Sequence, residues 1–401
     1  MNAAAGIGNR MALYEGQANK LNKGESRTVL IAAGGTSGHI FPALAIAKEL
    51  RAICPPCRIV FSGVIDGLEH KMALQENFEF SPVTAQNLPS RNDRRYWTWL
   101  TRNIRGMRLS YKAMKTLKPD IVLGTGGYVS APVLAIAKML RIPYVLHEQN
   151  SIPGRANRFF SKSAEKVFIS YDVSRPYFAE KANLVLTGNP IRPEFYLFEK
   201  SEAREILDIA PDAFVVLVMG GSLGAKTIND AVGGLKDDSR WSQLVEQYPQ
   251  LLLVASTGTQ NDESVAERLN VLPHVSAASF FHDAPARIAA CDFYVGRAGA
   301  MTCAEITSLG KPSMLIPYPY AADDHQTENA NVMHRAGAAY VCDDRSFDSN
   351  TLLEVISSAI QEKDLLDEMG ARALSLATPD ASRVIAEQIV DLLYQHESPK
   401  R

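Results

Sequence analysis

Short apolar runs alternate with amphipathic stretches along most of the chain, and the alternation starts again past its middle. Residues 27–33 form a continuous apolar run, as expected of a strand buried on both faces. A glycine loop follows from Gly34 to His39. Leu44, Ala47 and Leu50 then fall on one helical face, with Pro42 tolerated in the first turn. Further strands are predicted at 58–63, 121–123, 143–146, 167–169 and 183–186, with a helix over 131–140. Gly188 to Pro193 breaks the periodicity and reads as a hinge. Beyond it, strands are predicted at 214–219, 251–256, 275–281, 293–295 and 313–317. Helices follow over 347–377, then a last amphipathic helix over 381–394. This is an α/β pattern: two doubly wound, Rossmann-like halves, with a cleft expected between their glycine loops. The expected domains are 27–190 and 191–380, with the C-terminal helix 381–394 crossing back to the first.

Four glycine turns follow strands: Gly34–His39, Gly124–Ser130, Gly220–Ala225 and Gly296–Gly299. A glycine turn that opens a helix aims backbone N–H groups at one point, and the helix dipole adds positive potential there. Such a point attracts phosphate. In the last case the next strand leads to Asp323, Asp324, His325, Gln326 and Asn329, a fan of polar groups. A phosphate cradle beside such a fan points to a nucleotide-linked polar ligand such as a sugar; an ordinary turn followed by a polar surface loop fits the same residues. His39, Tyr128 and Asn150 come from three strand ends and are expected to share the ligand side. An imidazole at His39 can take a proton from a hydroxyl, or only donate a hydrogen bond to a phosphate or carbonyl. Glu305, early in its helix, can pair with the helix dipole or hold a ribose diol.

Two features argue against a dehydrogenase. The second strand ends in Ser62-Gly63, where an NAD site wants an acidic residue, and the first loop reads GGTSGH. No Asp-x-Asp pair lies between apolar strands, so a metal-clamped diphosphate is not indicated. Helix N-termini would neutralise a leaving group instead.

Trp97, Leu100, Ile104, Met107, Tyr111 and Met114 fall at helical spacing. Arg105, Arg108, Lys112 and Lys115 run alongside, with Arg91, Arg94, Arg95 and Arg102 nearby; Trp99 lies off the stripe. One reading is an amphipathic helix packed on the sheet. The other is a membrane-surface patch, with aromatic groups in the interface and arginines on an anionic membrane surface.

Composition narrows the rest. The 401 residues carry a net charge of −2, so no overall field draws the chain to nucleic acid. No run suits a spanning helix. Residues 1–26 lack a secretory core and read as a disordered extension, with Met11 as an alternative start. The chain reads as cytoplasmic. Cys54, Cys57, Cys291, Cys303 and Cys342 are an odd, scattered set, which argues for reduced thiols.

Seven segments together resemble the MurG family of cell-wall glycosyltransferases. They are GGTSGHIFPALAIAKEL, GTGGYVSAP, HEQNSIPGRAN, GNPIR, GGSLGA, RAGAMTCAEITSLGKP and DDHQTENA. The resemblance runs from about Arg27 to Tyr394. It implies a GT-B fold and an inverting, metal-independent transfer of N-acetylglucosamine from UDP-GlcNAc. The acceptor implied is lipid I, the undecaprenyl-diphosphate-linked muramoyl-pentapeptide, and the place is the cytoplasmic side of the bacterial inner membrane. No cofactor and no metal ligand are implied; other cell-wall synthesis proteins are implied partners. A UDP-GlcNAc 2-epimerase of the same fold is the runner-up.

By the same resemblance, Thr36, Ser37, Gly38 and Asn150 lie at the sugar and acceptor side. Arg192 and Ser222 lie near the hinge and diphosphate. Phe281 offers its backbone to the uracil. Ala300, Met301 and Thr302 hold the phosphates, Glu305 the ribose, and Gln326 with Asn329 the sugar hydroxyls. His39 is the implied base, and Trp97, Trp99, Leu100, Arg102 and Arg105 the membrane patch. Ser37 stands where the family usually has glycine, which is tolerable if its φ is negative.

Overall fold

The computed structural model describes residues 27–87, 96–260 and 263–395. The N-terminal extension and Arg91, Arg94 and Arg95 lie outside the described residues.

The chain divides into two compact units. The first comprises residues 27–149, 153–190 and 380–395; the second comprises Asn150–Ile152 and residues 191–379. Among the described residues the first unit holds a seven-stranded, wholly parallel sheet. Its strands are β1 (Thr28–Ala32), β2 (Arg58–Gly63), β3 (Glu79–Pro82), β4 (Ile121–Gly124), β5 (Tyr144–Glu148), β6 (Lys166–Ile169) and β7 (Leu184–Leu186). Their spatial order is β3-β2-β1-β4-β5-β6-β7. The second unit holds β8 (Phe214–Met219), β9 (Leu251–Ser256), β10 (Val275–Ala278), β11 (Phe293–Gly296), β12 (Ser313–Leu315) and β13 (Ala339–Val341). They are again parallel, ordered β10-β9-β8-β11-β12-β13.

The apolar runs form central strands because both of their faces are covered. In β1, Val29 and Ile31 face one hydrophobic cluster, while Leu30 and Ala32 face another. The first cluster includes Ile385, Ile389 and Leu393 of the helix Ala381–Gln395, which thus completes the first unit. The expected return of that helix is what the structure shows. β3 and β13 are edge strands of only 4 and 3 residues, which the sequence pattern does not single out. No helix among the described residues is long and apolar enough to cross a membrane.

Two expectations change. Cys54 and Cys57 are joined by a disulfide rather than reduced. A turn in which Cys57 N–H donates to the Cys54 carbonyl brings their Cα atoms to 5.4 Å, within disulfide reach. The helix Tyr96–Leu117 does not pack through its whole apolar stripe. Gly106, Ser110 and Met114 are its buried positions, while Trp97 is 74% exposed and Tyr111 42%. Ile104 and Met107 are also exposed. The reason is a missing side chain: a β-carbon on Gly106 would lie 1.9 Å from the Thr84 carbonyl oxygen. The helix seats on this close approach and turns its aromatic stripe outward.

Gly106→Ala is therefore expected to lower stability by about 1–3 kcal/mol through overpacking. Urea denaturation of the two proteins measures it, and an unchanged midpoint would contradict the close seating.

Candidate active site

Each sheet has one place where neighbouring strands send their connections in opposite directions. In the first it lies between β1 and β4, in the second between β8 and β11. Ligands of open α/β sheets gather at such switch points, beyond the carboxyl ends of the strands. All four glycine turns sit there: Gly34–Gly38 after β1, Thr125–Gly127 after β4, Gly220–Gly224 after β8, and Arg297–Gly299 after β11.

In the first unit the two turns touch. A β-carbon on Gly127 would lie 2.5 Å from the Gly34 carbonyl oxygen and 2.9 Å from His39 Cδ2, and its φ of 75° also favours glycine. The two helices that leave these turns start earlier than periodicity suggests, at Ser37 and Gly127. His39 and Tyr128 therefore stand in first turns, not in loops. Ser37 opens its helix and is not among the residues of positive φ, so the serine is unstrained there. The Tyr128 ring lies against Gly35, and burial with the Glu69 carboxylate nearby raises its pKa.

Behind His39 runs a line of hydrogen bonds. His39 Nδ1 lies 3.0 Å from Gln149 Oε1. Gln149 Nε2 lies 2.9 Å from both the Thr125 carbonyl oxygen and His147 Nδ1. His147 Nε2 lies 3.2 Å from the Gly188 carbonyl oxygen. His147 is wholly buried, and burial pushes its pKa down to about 4. The Thr125 hydroxyl donates to the His39 carbonyl at 2.8 Å, tying the helix that carries His39 to the β4 turn. The sequence gives Gln149 and His147 no role beyond their place in the motif HEQNSIPGRAN. Their partners come from residues 125 and 188, far along the chain.

In the second unit the helix Ala300–Ser308 begins after Gly299, whose position has no side-chain cap. Its first N–H groups, from Ala300, Met301 and Thr302, point along the dipole toward the strand ends. Glu305 lies one turn on, with 13% of its side chain exposed. Burial raises its pKa to about 7, against the opposing pull of Arg192, whose guanidinium nitrogen is 3.9 Å away. Arg192 also stacks over Phe195. Ser222 is exposed in its turn, and its carbonyl accepts from Thr259 N–H at 3.0 Å. Phe281 is buried under the Arg287 guanidinium.

The polar loop is less open than its sequence suggests. Asp323 and Asp324 are consecutive left-handed residues, with φ of 52° and 55°, an uncommon and strained conformation. Gln326 is partly exposed and its Oε1 accepts the Tyr318 N–H at 2.9 Å. Asn329, expected on a sugar hydroxyl, is fully buried. Its Oδ1 accepts from Ser151 N–H and Oγ–H at 3.0 and 2.7 Å, and its Nδ2 donates to the Ala298 carbonyl at 3.1 Å. The amide is spent on holding the segment around Ser151 to the β11 turn. Asn150, expected beside His39 and Tyr128, belongs with this segment in the second unit.

The comparisons with known proteins agree with this division. Residues 29–169 match the glycosyltransferase family 28 N-terminal domain, and residues 215–388 its C-terminal domain. A protein of Acetivibrio thermocellus is 35% identical over 91% of this chain and 98% of its own length. One of Caldanaerobacter subterraneus subsp. tengcongensis is 37% identical over 90% and 98%. Both are named UDP-N-acetylglucosamine--N-acetylmuramyl-(pentapeptide) pyrophosphoryl-undecaprenol N-acetylglucosamine transferase. The crystal structure of Acinetobacter baumannii MurG matches with a TM-score of 0.71 and 27% identity, over 91% of this chain and 99% of that one. A UDP-GlcNAc 2-epimerase from Neisseria meningitidis matches with a TM-score of 0.64 at 14% identity, over 92% of this chain and 100% of that one, a likeness of fold alone. With glycosyltransferase family 28 domains in both halves and relatives aligned over nearly their whole length, the chain belongs to the MurG family of GT-B glycosyltransferases.

Proposed function

We propose that this protein moves N-acetylglucosamine from UDP-GlcNAc to the muramoyl 4-hydroxyl of undecaprenyl-diphosphate-linked muramoyl-pentapeptide, converting lipid I to lipid II in peptidoglycan synthesis. The observation that carries the reading is the relatives of that name, aligned over 98% of their length. The geometry of each unit supports the chemistry.

The acceptor oxygen attacks the sugar's anomeric carbon from the face opposite UDP. The new C–O bond forms as the bond to the diphosphate oxygen breaks, which inverts the anomeric centre. His39 takes the hydroxyl proton, and UDP leaves with the bonding pair. The first unit supplies the base, with Thr36, Ser37, Gly38 and Tyr128 along the same turns. The second unit binds the donor. Backbone N–H groups of Ala300, Met301 and Thr302, with the helix dipole and the Ser222 turn, stabilise the charge that builds on the leaving diphosphate. Neutralisation of this kind needs no metal ion. Arg192 lies close to that charge through its place beside Glu305. Glu305 accepts from the ribose hydroxyls, the Phe281 backbone meets the uracil, and the Gln326 amide meets a sugar hydroxyl. Asn329 serves through Asn150 and Ser151, which it fixes, rather than by touching the sugar.

The outward stripe from Trp97 to Tyr111, with Trp99, Leu100, Arg102 and Arg105, forms a peripheral docking face for an anionic membrane surface. Its exposed aromatic side chains support that role. It places the enzyme where its lipid-linked acceptor resides, at the cytoplasmic side of the inner membrane.

UDP release from UDP-GlcNAc, with and without a lipid I analogue and in EDTA, tests the reaction. Acceptor-dependent release is expected, and His39→Ala should lower it by about 10²- to 10⁴-fold. Conversion of UDP-GlcNAc alone to another sugar nucleotide would mean an epimerase instead.

Glu305 gives a pH test. Its pKa in the folded protein, about 7, exceeds its ordinary 4.5. The folded state therefore holds more protons between these values, and stability falls as pH rises from 4.5 through 7. At pH about 8 the buried charge costs at most about 3 kcal/mol. Glu305→Gln should thus be more stable than the parent at alkaline pH, with the gap closing toward pH 5, yet bind UDP-GlcNAc about 10- to 100-fold more weakly. Thermal melts across pH and donor titration read the two effects, and a destabilised variant at alkaline pH would refute the raised pKa.

For the membrane face, Trp97→Ala and the charge reversal Arg102→Glu/Arg105→Glu should each weaken sedimentation with anionic phosphatidylglycerol vesicles, the latter by tenfold or more. Turnover on a soluble acceptor analogue should stay unchanged.

A further inference from the structure

We infer that Gln149 and His147 are positioning residues that set the tautomer of His39, holding a proton on its Nδ1 so that Nε2 presents a lone pair for the acceptor hydroxyl. The inference rests on the transferase reading for its catalytic meaning. Its structural content rests on a line of groups whose donor and acceptor roles are forced one after another.

The line starts at the Gly188 carbonyl, which can only accept. His147 Nε2 faces it at 3.2 Å and must carry the proton. The other neighbour of Nε2, the Ser170 hydroxyl at 3.5 Å, already has its proton directed to the Glu148 carbonyl and Asn189 Oδ1 at 2.7 and 2.8 Å. His147 is buried with its pKa near 4, so the ring is neutral and Nδ1 is an acceptor. Gln149 must then turn its NH₂ group toward that nitrogen. The Thr125 carbonyl, 2.9 Å from the same NH₂, demands the same orientation. The reversed amide would set its oxygen against two acceptors. In the only consistent arrangement Gln149 Oε1 faces His39 and accepts from Nδ1–H at 3.0 Å. In the neutral His39 ring, Nε2 then holds the lone pair.

The arrangement works against intrinsic preference, because a histidine side chain in water favours the proton on Nε2. In that form the outward nitrogen is a donor and useless as a base. The buffer behind His39 is also neutral: an amide and an imidazole occupy the place that a carboxylate fills in hydrolase triads. It fixes direction and tautomer without placing a negative charge behind the base. Asn189 Nδ2 donates to the Gln149 carbonyl at 3.0 Å and holds the backbone of the relay to the strand ends.

The test is nitrogen-15 NMR of histidine-labelled, substrate-free protein at alkaline pH, with the His39 signals assigned by their loss in His39→Gln. Expected is Nδ1–H with a pyridine-like Nε2 at His39, and the opposite tautomer at His147. Nε2–H at His39 in the parent protein would overturn the proposal without any variant. In Gln149→Met the His39 proton should move toward Nε2, and kcat should fall about 10- to 100-fold with the KM for UDP-GlcNAc unchanged. An unchanged His39 tautomer in Gln149→Met, or a loss confined to KM, would assign Gln149 a purely structural role. The NMR reading needs no turnover, so failure of the relay is distinct from failure of the transferase, which absent acceptor-dependent UDP release in the parent would reveal.

Discussion

A parallel sheet covered on both faces has no room for chemistry along its strands. β1, β4 and β5 are buried at every position, and the polar groups that matter begin where those strands end. This constraint shapes the switch point of each unit. At the β1–β4 switch point two turns meet so closely that the Gly34 carbonyl and Gly127 leave no space for a side chain. Two helices start from that contact and carry His39 and Tyr128 in their first turns. At the β8–β11 switch point the same construction presents backbone N–H groups and a helix dipole. One architecture, used twice, thus gives an imidazole in a helix's first turn on one unit and an uncapped helix N-terminus on the other.

Burial then sets the electrostatic character of individual groups. Glu305 sits where its charge is costly, close to one cation that only partly compensates. Such a carboxylate holds its proton more tightly than an exposed one. His147 shows the opposite use of burial: desolvation keeps it neutral, and only a neutral ring can accept from Gln149 while donating to Gly188. A single desolvation effect, acting on an acid and on a base, raises one pKa and lowers the other, and favours the neutral form of both.

Much of this was legible in the sequence. Continuous apolar runs located the central strands, and glycine turns opening helices located the switch points. What failed did so for physical reasons. β3 and β13 are edge strands of only 4 and 3 residues, too short to stand out by periodicity. The stripe of the Trp97 helix was periodic, yet its seat depends on Gly106, a residue that contributes nothing to an apolar pattern. The burial of Asn329 could not be read either, because its partners Ser151 and Ala298 lie far away in sequence. The cysteines read as reduced because they are an odd, scattered set, but turn geometry brings Cys54 and Cys57 together.

The His39 relay could not be read from the sequence for the same reason, and it shows what tertiary structure adds. Each member is an ordinary residue with an ambiguous role: an imidazole has two tautomers and an amide two orientations. Ambiguity disappears only because the line meets backbone carbonyls at two points, Thr125 in the middle and Gly188 at the far end. Backbone carbonyls cannot change role, and their positions are fixed by the sheet. The state of the proton on the base is therefore set by the strand ends themselves. Rigidity of the sheet, which excludes chemistry from its interior, is what lends the groups at its edge a defined protonation.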